Sequence, residues 1–199
     1  MFRRVMVWAM CVFSMFALPR LSLVQAWDSW VLQWMAAHRS SGLSHAFSIL
    51  TRAGGTPGFL IAWIIPPILF LKQKRRREAL IYSVGVLLFK ASIPFLKIMA
   101  NRLRPGSPLL EEKTLSMPSG HAFDAVVILV VALAILRKWG PSAKALRIPE
   151  ILSALFALGV CLSRIYFGVH YPTDVLLGAL YGACSLWLLQ GFSPNLYSF

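Results

Sequence analysis

The chain has 199 residues, of which 58% are hydrophobic and 14% charged, with a formal net charge of +13. A soluble globular domain carries roughly 45–50% apolar and about 25% charged residues, so this balance argues against an ordinary soluble protein and for an integral membrane protein. The cations stand mostly between apolar runs, which reads as membrane topology and contact with anionic lipid, with no nucleic-acid partner.

The expected fold is all-α: a polytopic bundle of about six membrane-spanning helices, one domain over residues 1–199, with both termini cytoplasmic. A spanning helix needs about 20 apolar residues. The first run covers 5–24 and follows Arg3 and Arg4. Its alternative reading is a secretory signal, because a basic start and an apolar stretch lead into Val24-Gln25-Ala26. Residues 25–50 are less apolar and rich in tryptophan. Trp27, Trp30, Trp34 and Phe47 predict an interfacial helical segment (27–50), since indole rings favour the headgroup level. His38 and His45 in this segment read as facing water or headgroups. The second run, 55–71, contains Pro66-Pro67, tolerated where neighbouring helices satisfy the freed carbonyls.

The stretch KQKRRR (72–77) separates it from a third run, 79–97, which Lys90 interrupts. A fourth run, 121–137, opens on His121 and carries Asp124 one turn in. Lys90 and Asp124 read as an interhelical ion pair, with tuning of His121 by Asp124 as the alternative. Arg137, Lys138, Lys144 and Arg147 precede the fifth run, 148–163, and the sixth covers 174–191. Cys11, Cys161 and Cys184 all lie in apolar runs, and their odd number and spacing fit small buried hydrophobes, with no disulfide or metal site expected.

The excess of Lys and Arg in cytoplasmic loops orients such a weave. Arg3 and Arg4, KQKRRR and the 137–147 segment all fall inside, which places loops 98–120 and 164–173 together on the opposite side. Those loops hold three clusters. Lys97 is followed after six residues by Arg104-Pro105. Pro118-Ser119-Gly120-His121 follows. Ser163-Arg164 is followed after five residues by His170, and after three more by Asp174. Lys97, Arg104 and Arg164 are three cations at one membrane face, suited to a multiply charged oxyanion. Ser119 and Gly120 stand at a helix start, where backbone N–H groups and the helix dipole favour an anion. Two histidines beside a phosphate cradle imply phosphoryl transfer by covalent catalysis. An acceptor carboxylate at i+4 makes His170 the better nucleophile, oriented by Asp174, and leaves His121 as general acid and then base. The loop 105–117 is short, and Glu111 and Glu112 on it read as a solvated face, or as selectors against further anionic groups.

The pattern K-x6-RP, PSGH, SR-x5-H-x3-D resembles the signature of the type 2 phosphatidic acid phosphatase family, the lipid phosphate phosphatases. Lys97, Arg104, Pro105, Pro118, Ser119, Gly120, His121, Ser163, Arg164, His170 and Asp174 meet every position. The resemblance implies hydrolysis of a phosphate ester or anhydride through a phosphohistidine, with no metal and no cofactor, on a membrane lipid with a phosphate headgroup. It implies a multi-pass protein of the cell membrane with its site on the periplasmic or extracellular side, and no obligate protein partner. Among substrates, a carrier-lipid diphosphate such as undecaprenyl diphosphate, phosphatidylglycerol phosphate or phosphatidate ranks first. A lipid A phosphatase and a lipid phosphotransferase are the alternatives. A non-enzymatic flippase or lipid-binding protein is the reading from another class; it needs the cations but neither two histidines nor a paired aspartate.

Overall fold

A computed structural model of the chain describes residues 1–106, 108–140 and 143–198. Ser107 of the short loop and the side chain of Lys144 lie outside the described residues. The chain runs through α1 (Phe2–Ala17), a 3-10 turn (Leu18–Arg20), α2 (Ser22–Ala37), α3 (Ser41–Ala53), α4 (Thr56–Lys72), α5 (Arg76–Ala100), α6 (Gly120–Trp139), α7 (Ala143–Tyr166) and α8 (Pro172–Leu189). Among the described residues, six stretches are long and apolar enough to cross a membrane: 2–20, 41–72, 76–100, 120–139, 145–166 and 172–189.

The expected spans are each present, shifted by a few residues. One assignment changes. The tryptophan-rich segment forms two helices, and on the first of them, α2, Trp27, Trp30 and Trp34 are exposed. The second, α3, joins α4 as one apolar stretch, 41–72, broken at Gly54-Gly55. It packs along the last turns of α7, where Tyr166 Oη meets Ser44 Oγ at 2.9 Å and the Leu50 side chain covers Gly159. His38 and His45 are exposed, as expected.

The weave sorts the chain into two ends. Gly120 and Pro172 start α6 and α8 side by side, joined by the Ser119 N–H donating to the Asp174 carbonyl at 3.0 Å. A Cβ on Gly178 would stand 2.5 Å from the Ser119 carbonyl oxygen, so only glycine lets α8 approach this turn so closely. The ends of α5 and α7 arrive at the same face with Lys97 and Arg164. At the other end Arg4 donates to the Trp187 carbonyl, and Arg75 and Arg77 donate to carbonyls of the C-terminal segment. Both termini thus share one end with the KQKRRR stretch, opposite the three motif clusters.

Inside a bilayer apolar burial drives helix association weakly, so packing and interhelical hydrogen bonds carry more of it, at about 0.6 kcal/mol per bond. Pro66 cannot donate to the Ala62 carbonyl four residues earlier. The buried Tyr82 hydroxyl of α5 donates to that carbonyl instead, at 2.8 Å. Trp63 Nε1 donates to the Ser83 carbonyl at 2.9 Å, and Ser92 and Tyr181 hydroxyls meet at 2.6 Å. On α1, Trp8 donates to Ser185 of α8 and its ring packs against Phe89 and Tyr181. Cys11 and Cys184 are buried and Cys161 is half-buried, all as free thiols.

Candidate active site

Local chain geometry explains why the motif spacings converge. Helix α5 ends at Ala100, and Asn101 caps it in the left-handed conformation (φ 47°), which Asn tolerates better than most residues. The chain therefore turns back, and the Arg102 carbonyl accepts from the Ser116 N–H at 2.8 Å. Lys97, one turn before the cap, and Arg104, three residues after it, flank the same pocket. At the end of α7, Gly168 adopts φ 67° and lets the Val169 and His170 N–H groups donate to the Arg164 carbonyl at 3.2 and 3.3 Å. That tight closure fixes the five-residue spacing between Arg164 and His170. Pro172 at the first helical turn then starts α8, and the Asp174 carboxylate accepts from the Tyr171 N–H at 2.9 Å.

His170 is 2% exposed. Its Nδ1 faces Asp174 Oδ2 at 3.6 Å and Ser116 Oγ at 3.5 Å, and its Nε2 faces Arg104 Nη1 at 3.4 Å. Burial pushes the ring down to about 4, against the hydrogen bond and charge of Asp174, which raise it; Lys97 and Arg104 push it further down. The ring is therefore neutral at neutral pH. With its proton on the Asp174 side, the Nε2 lone pair points at the cations.

The cations surround that nitrogen. Arg104 donates to the Thr114 carbonyl at 2.6 Å, to Thr114 Oγ1 at 3.0 Å and to the Val169 carbonyl at 2.6 Å. Lys97 donates to Thr114 Oγ1 and to the Leu115 carbonyl. Arg164 is buried and donates to Thr51 Oγ1 at 2.8 Å and to Glu112. Its Nε is buried without any hydrogen-bond partner, and an unpaired buried donor of this kind costs about 1–3 kcal/mol. Ser119 caps α6, its Oγ accepting from the Ala122 N–H at 3.4 Å, while its own N–H is committed to Asp174. The hydroxyl proton of Ser119 and the N–H groups of Gly120 and His121 at the helix start are left to face an anion. His121 stands beside the α3–α4 break, where a Cβ on Gly55 would lie 2.9 Å from its Nε2. The cations around it are Arg164, Lys90 and Lys97, and the His170 ring is a further neighbour.

The structure thus brings together Lys97, Arg104, Ser119, Gly120, His121, Arg164, His170 and Asp174, and adds several residues, while the Ser163 hydroxyl instead donates to the Val160 carbonyl of its own helix. Glu112 is half-buried, not a solvated loop face as expected: it pairs with Arg164 and lies 3.6 Å from Arg104, bridging the two guanidinium groups. Arg102 bridges Asp174 and Asp28. Ser116 donates to Asp174, Thr114 accepts from Lys97 and Arg104, and Thr51 accepts from Arg164. A signal for Asp28 and Arg102 was present: Asp28 is the only acid before Glu78, and Arg102 lies two residues before the motif arginine. Lys90 does pair with Asp124, at 2.6 and 2.7 Å, and its ammonium lies over Phe59 at 5.0 Å.

The family model of the PAP2 superfamily matches residues 78–197, which include all three motif clusters. The chain belongs to the PAP2 superfamily. Phosphatidylglycerophosphatase B of Bacillus subtilis is 36% identical over 106 residues, 52% of this chain and 52% of that protein. Decaprenylphosphoryl-5-phosphoribose phosphatase of Mycobacterium tuberculosis is 34% identical over 130 residues, 62% of this chain and 67% of that one. Sequence alignment thus spans about half to two thirds of these relatives, both named for phosphatase activity on lipids. The crystal structure of a transmembrane PAP2 type phosphatidylglycerolphosphate phosphatase from Bacillus subtilis superposes with a TM-score of 0.80 at 26% identity, covering 98% of each chain.

Proposed function

We propose that this PAP2 protein hydrolyses a phosphomonoester or diphosphate on a membrane lipid, without a metal ion, through a phosphohistidine on His170. The observation that carries this reading is the polarity of the His170 ring, with Nδ1 toward Asp174 and Nε2 toward Arg104, in a cradle where Arg164 Nε lacks an acceptor. In the first step Nε2 attacks phosphorus. The P–Nε2 bond forms as the P–O bond to the lipid breaks, and His121 protonates the leaving oxygen. Asp174 offsets the positive charge that appears on the ring. In the second step His121 takes a proton from water, whose oxygen attacks phosphorus. The P–Nε2 bond breaks, inorganic phosphate leaves, and both rings return to their starting states. Lys97, Arg104, Arg164, the Ser119 hydroxyl and the Gly120 N–H hold the phosphoryl oxygens as charge redistributes. The substrate's phosphate displaces Glu112 from the two arginines.

A lipid substrate follows from the position of the cradle at the ends of spanning helices, where a headgroup phosphate lies. The grouping of basic segments at the opposite end supports a periplasmic or extracellular site in the cell membrane, with both termini cytoplasmic. Glycerolipid phosphates and carrier-lipid diphosphates are the leading substrates, the first in keeping with the phosphatidylglycerophosphatase relative. Lipid A phosphate hydrolysis and phosphotransfer to a second lipid use the same first step.

The test is phosphate release by purified protein in detergent, with EDTA present, across phosphatidylglycerol phosphate, phosphatidate, undecaprenyl diphosphate and lipid A. Release from at least one lipid, unaffected by EDTA, is the expected result. Binding without release from any of them favours the flippase or scaffold reading, and activity abolished by EDTA contradicts the metal-free route.

A further inference from the structure

Asp174 does more than face His170. Its Oδ2 accepts from Ser116 Oγ and from the Tyr171 N–H. Its Oδ1 accepts from Arg102 Nη1 at 2.7 Å. The other end of that guanidinium, Nη2, donates to Asp28 Oδ2 at 2.6 Å. Asp28 is fully buried, and it also accepts from the Thr173 N–H at 3.0 Å and from Thr173 Oγ1. Arg102 Nη1 reaches Thr173 Oγ1 at 2.9 Å, and the Tyr171 ring lies flat against its Cζ at 4.0 Å. A buried carboxylate, guanidinium and second carboxylate are thus lined up across α2, the end of α5 and the start of α8. Both arms of the Arg102 fork are engaged by protein carboxylates, Nη1 by Asp174 and Nη2 by Asp28.

We infer that Arg102 and Asp28 are positioning residues for the reaction: Arg102 holds Asp174 as an oriented anion behind His170, and Asp28 holds Arg102. The inference rests on the reading of His170 as nucleophile. The physical case is that Asp174 is a carboxylate with no exposure to water, and a buried charge is retained only when paired and hydrogen-bonded. His170 cannot supply that pairing while it is neutral. Arg102 does, through a bond to the oxygen that His170 does not use. Arginine suits the place because one planar fork reaches two carboxylates at fixed angles, which an ammonium does not reproduce. Asp28 fixes the far side of that fork and anchors it to Thr173, on the same turn as Asp174. Helix α2 is therefore part of the machinery, although it carries no motif residue. A cavity of about 580 Å³ borders Asp28 and Arg102 on the side of Arg20, Gln25 and Asn101, so shorter side chains at 102 are accommodated without steric clash.

The test measures kcat and KM for release of phosphate from a lipid substrate, with melting temperature in detergent read on every variant. Arg102→Gln is expected to lower kcat about 10- to 100-fold, the loss typical of partners that orient a functional histidine, with KM changed less than about 3-fold, as befits a group acting only in the transition state. Arg102→Lys restores part of kcat, and Asp28→Asn loses less than Arg102→Gln. Arg102→Gln added to Asp174→Asn lowers kcat no further than Asp174→Asn alone, because Arg102 acts through that carboxylate. Should Arg102→Gln not fold, Asp28→Asn in the Asp174→Asn background reads the same dependence. A rise in KM at constant kcat makes Arg102 a phosphate ligand and overturns the proposal. So does a kcat loss that multiplies with that of Asp174→Asn, which marks a general structural role. His170→Ala is the control: release retained there removes the nucleophile reading and this inference with it, whereas its loss there with no effect at Arg102 sinks the inference alone.

Discussion

Two arginine–glutamate pairs mark the two ends of the bundle. At the basic end Arg137 meets Glu150 at 2.9 Å, with side chains 67% and 30% exposed. At the opposite end Arg164 meets Glu112, with Arg164 only 2% exposed. The first pair can be hydrated, exchanges easily with water, and contributes about 0–1 kcal/mol. The second arginine is trapped in protein, paired with Glu112 and Thr51, with its Nε left without an acceptor. The same two residue types form a hydrated surface pair in one place and a buried pair with an open donor in the other. Burial, and the absence of a third acceptor, make the difference.

The largest effects separate the two ends. Arg164→Ala is expected to lower kcat/KM by about 10²–10³-fold, the range for loss of one preorganised donor to a developing oxyanion. Arg137→Ala is expected to leave it within 2-fold of the starting enzyme, on the order of experimental error. Equal losses at both positions would dissolve the comparison.

Breaking a buried pair away from the cradle comes next. Lys90→Met strands the Asp124 carboxylate, which is 4% exposed while Lys90 is 30% exposed. The expected cost is about 3 kcal/mol, at the low end for one partner of a buried pair because Lys90 is partly hydrated. Adding Asp124→Leu is expected to recover most of it. Additive losses in that double-mutant cycle, followed by thermal melts in detergent, would show that the two charges act separately.

Glu112 sharpens the comparison at smaller scale. Its carboxylate competes with phosphate for Arg104 and Arg164, so Glu112→Gln is expected to tighten inhibition by inorganic phosphate about 3- to 10-fold, or up to roughly 1.4 kcal/mol. Unchanged or weaker inhibition would mean that Glu112 supports the arginines and does not compete.

The smallest expected effect concerns position on the pH axis. Burial depresses His170 to about 4, so the ring proposed as nucleophile stays neutral until the pH falls close to that value. The acidic limb of kcat/KM therefore lies near pH 4, below the ordinary imidazole value of about 6.5, while loss of the proton on the general acid sets the alkaline limb. An acidic limb at the ordinary imidazole value would mean that water reaches the ring.

The spans and most of the cradle were readable because both follow local rules. Apolar run length marks a spanning helix whatever it packs against, and the three clusters keep fixed internal spacings imposed by Asn101, Gly168 and Pro172. What escaped was the part set by tertiary approach. Asp28 and Arg102 are 74 positions apart, and no periodicity joins an acid on a tryptophan-rich helix to a cation beyond the end of α5. Glu112 looked solvated because loop residues with charge usually are; its half-buried place follows from the two arginines that it bridges. The break at Gly54-Gly55 was read as the start of a span, whereas α3 already descends along α7.

The most direct test of His170 as nucleophile is acid-quench trapping with a substrate labelled in its terminal phosphate, followed by peptide mapping of acid-labile phosphate. The expected result is label on His170, absent from His170→Ala and accumulating in His121→Ala, where hydrolysis of the intermediate slows. Label on His121, or full turnover by His170→Ala, would contradict the assignment.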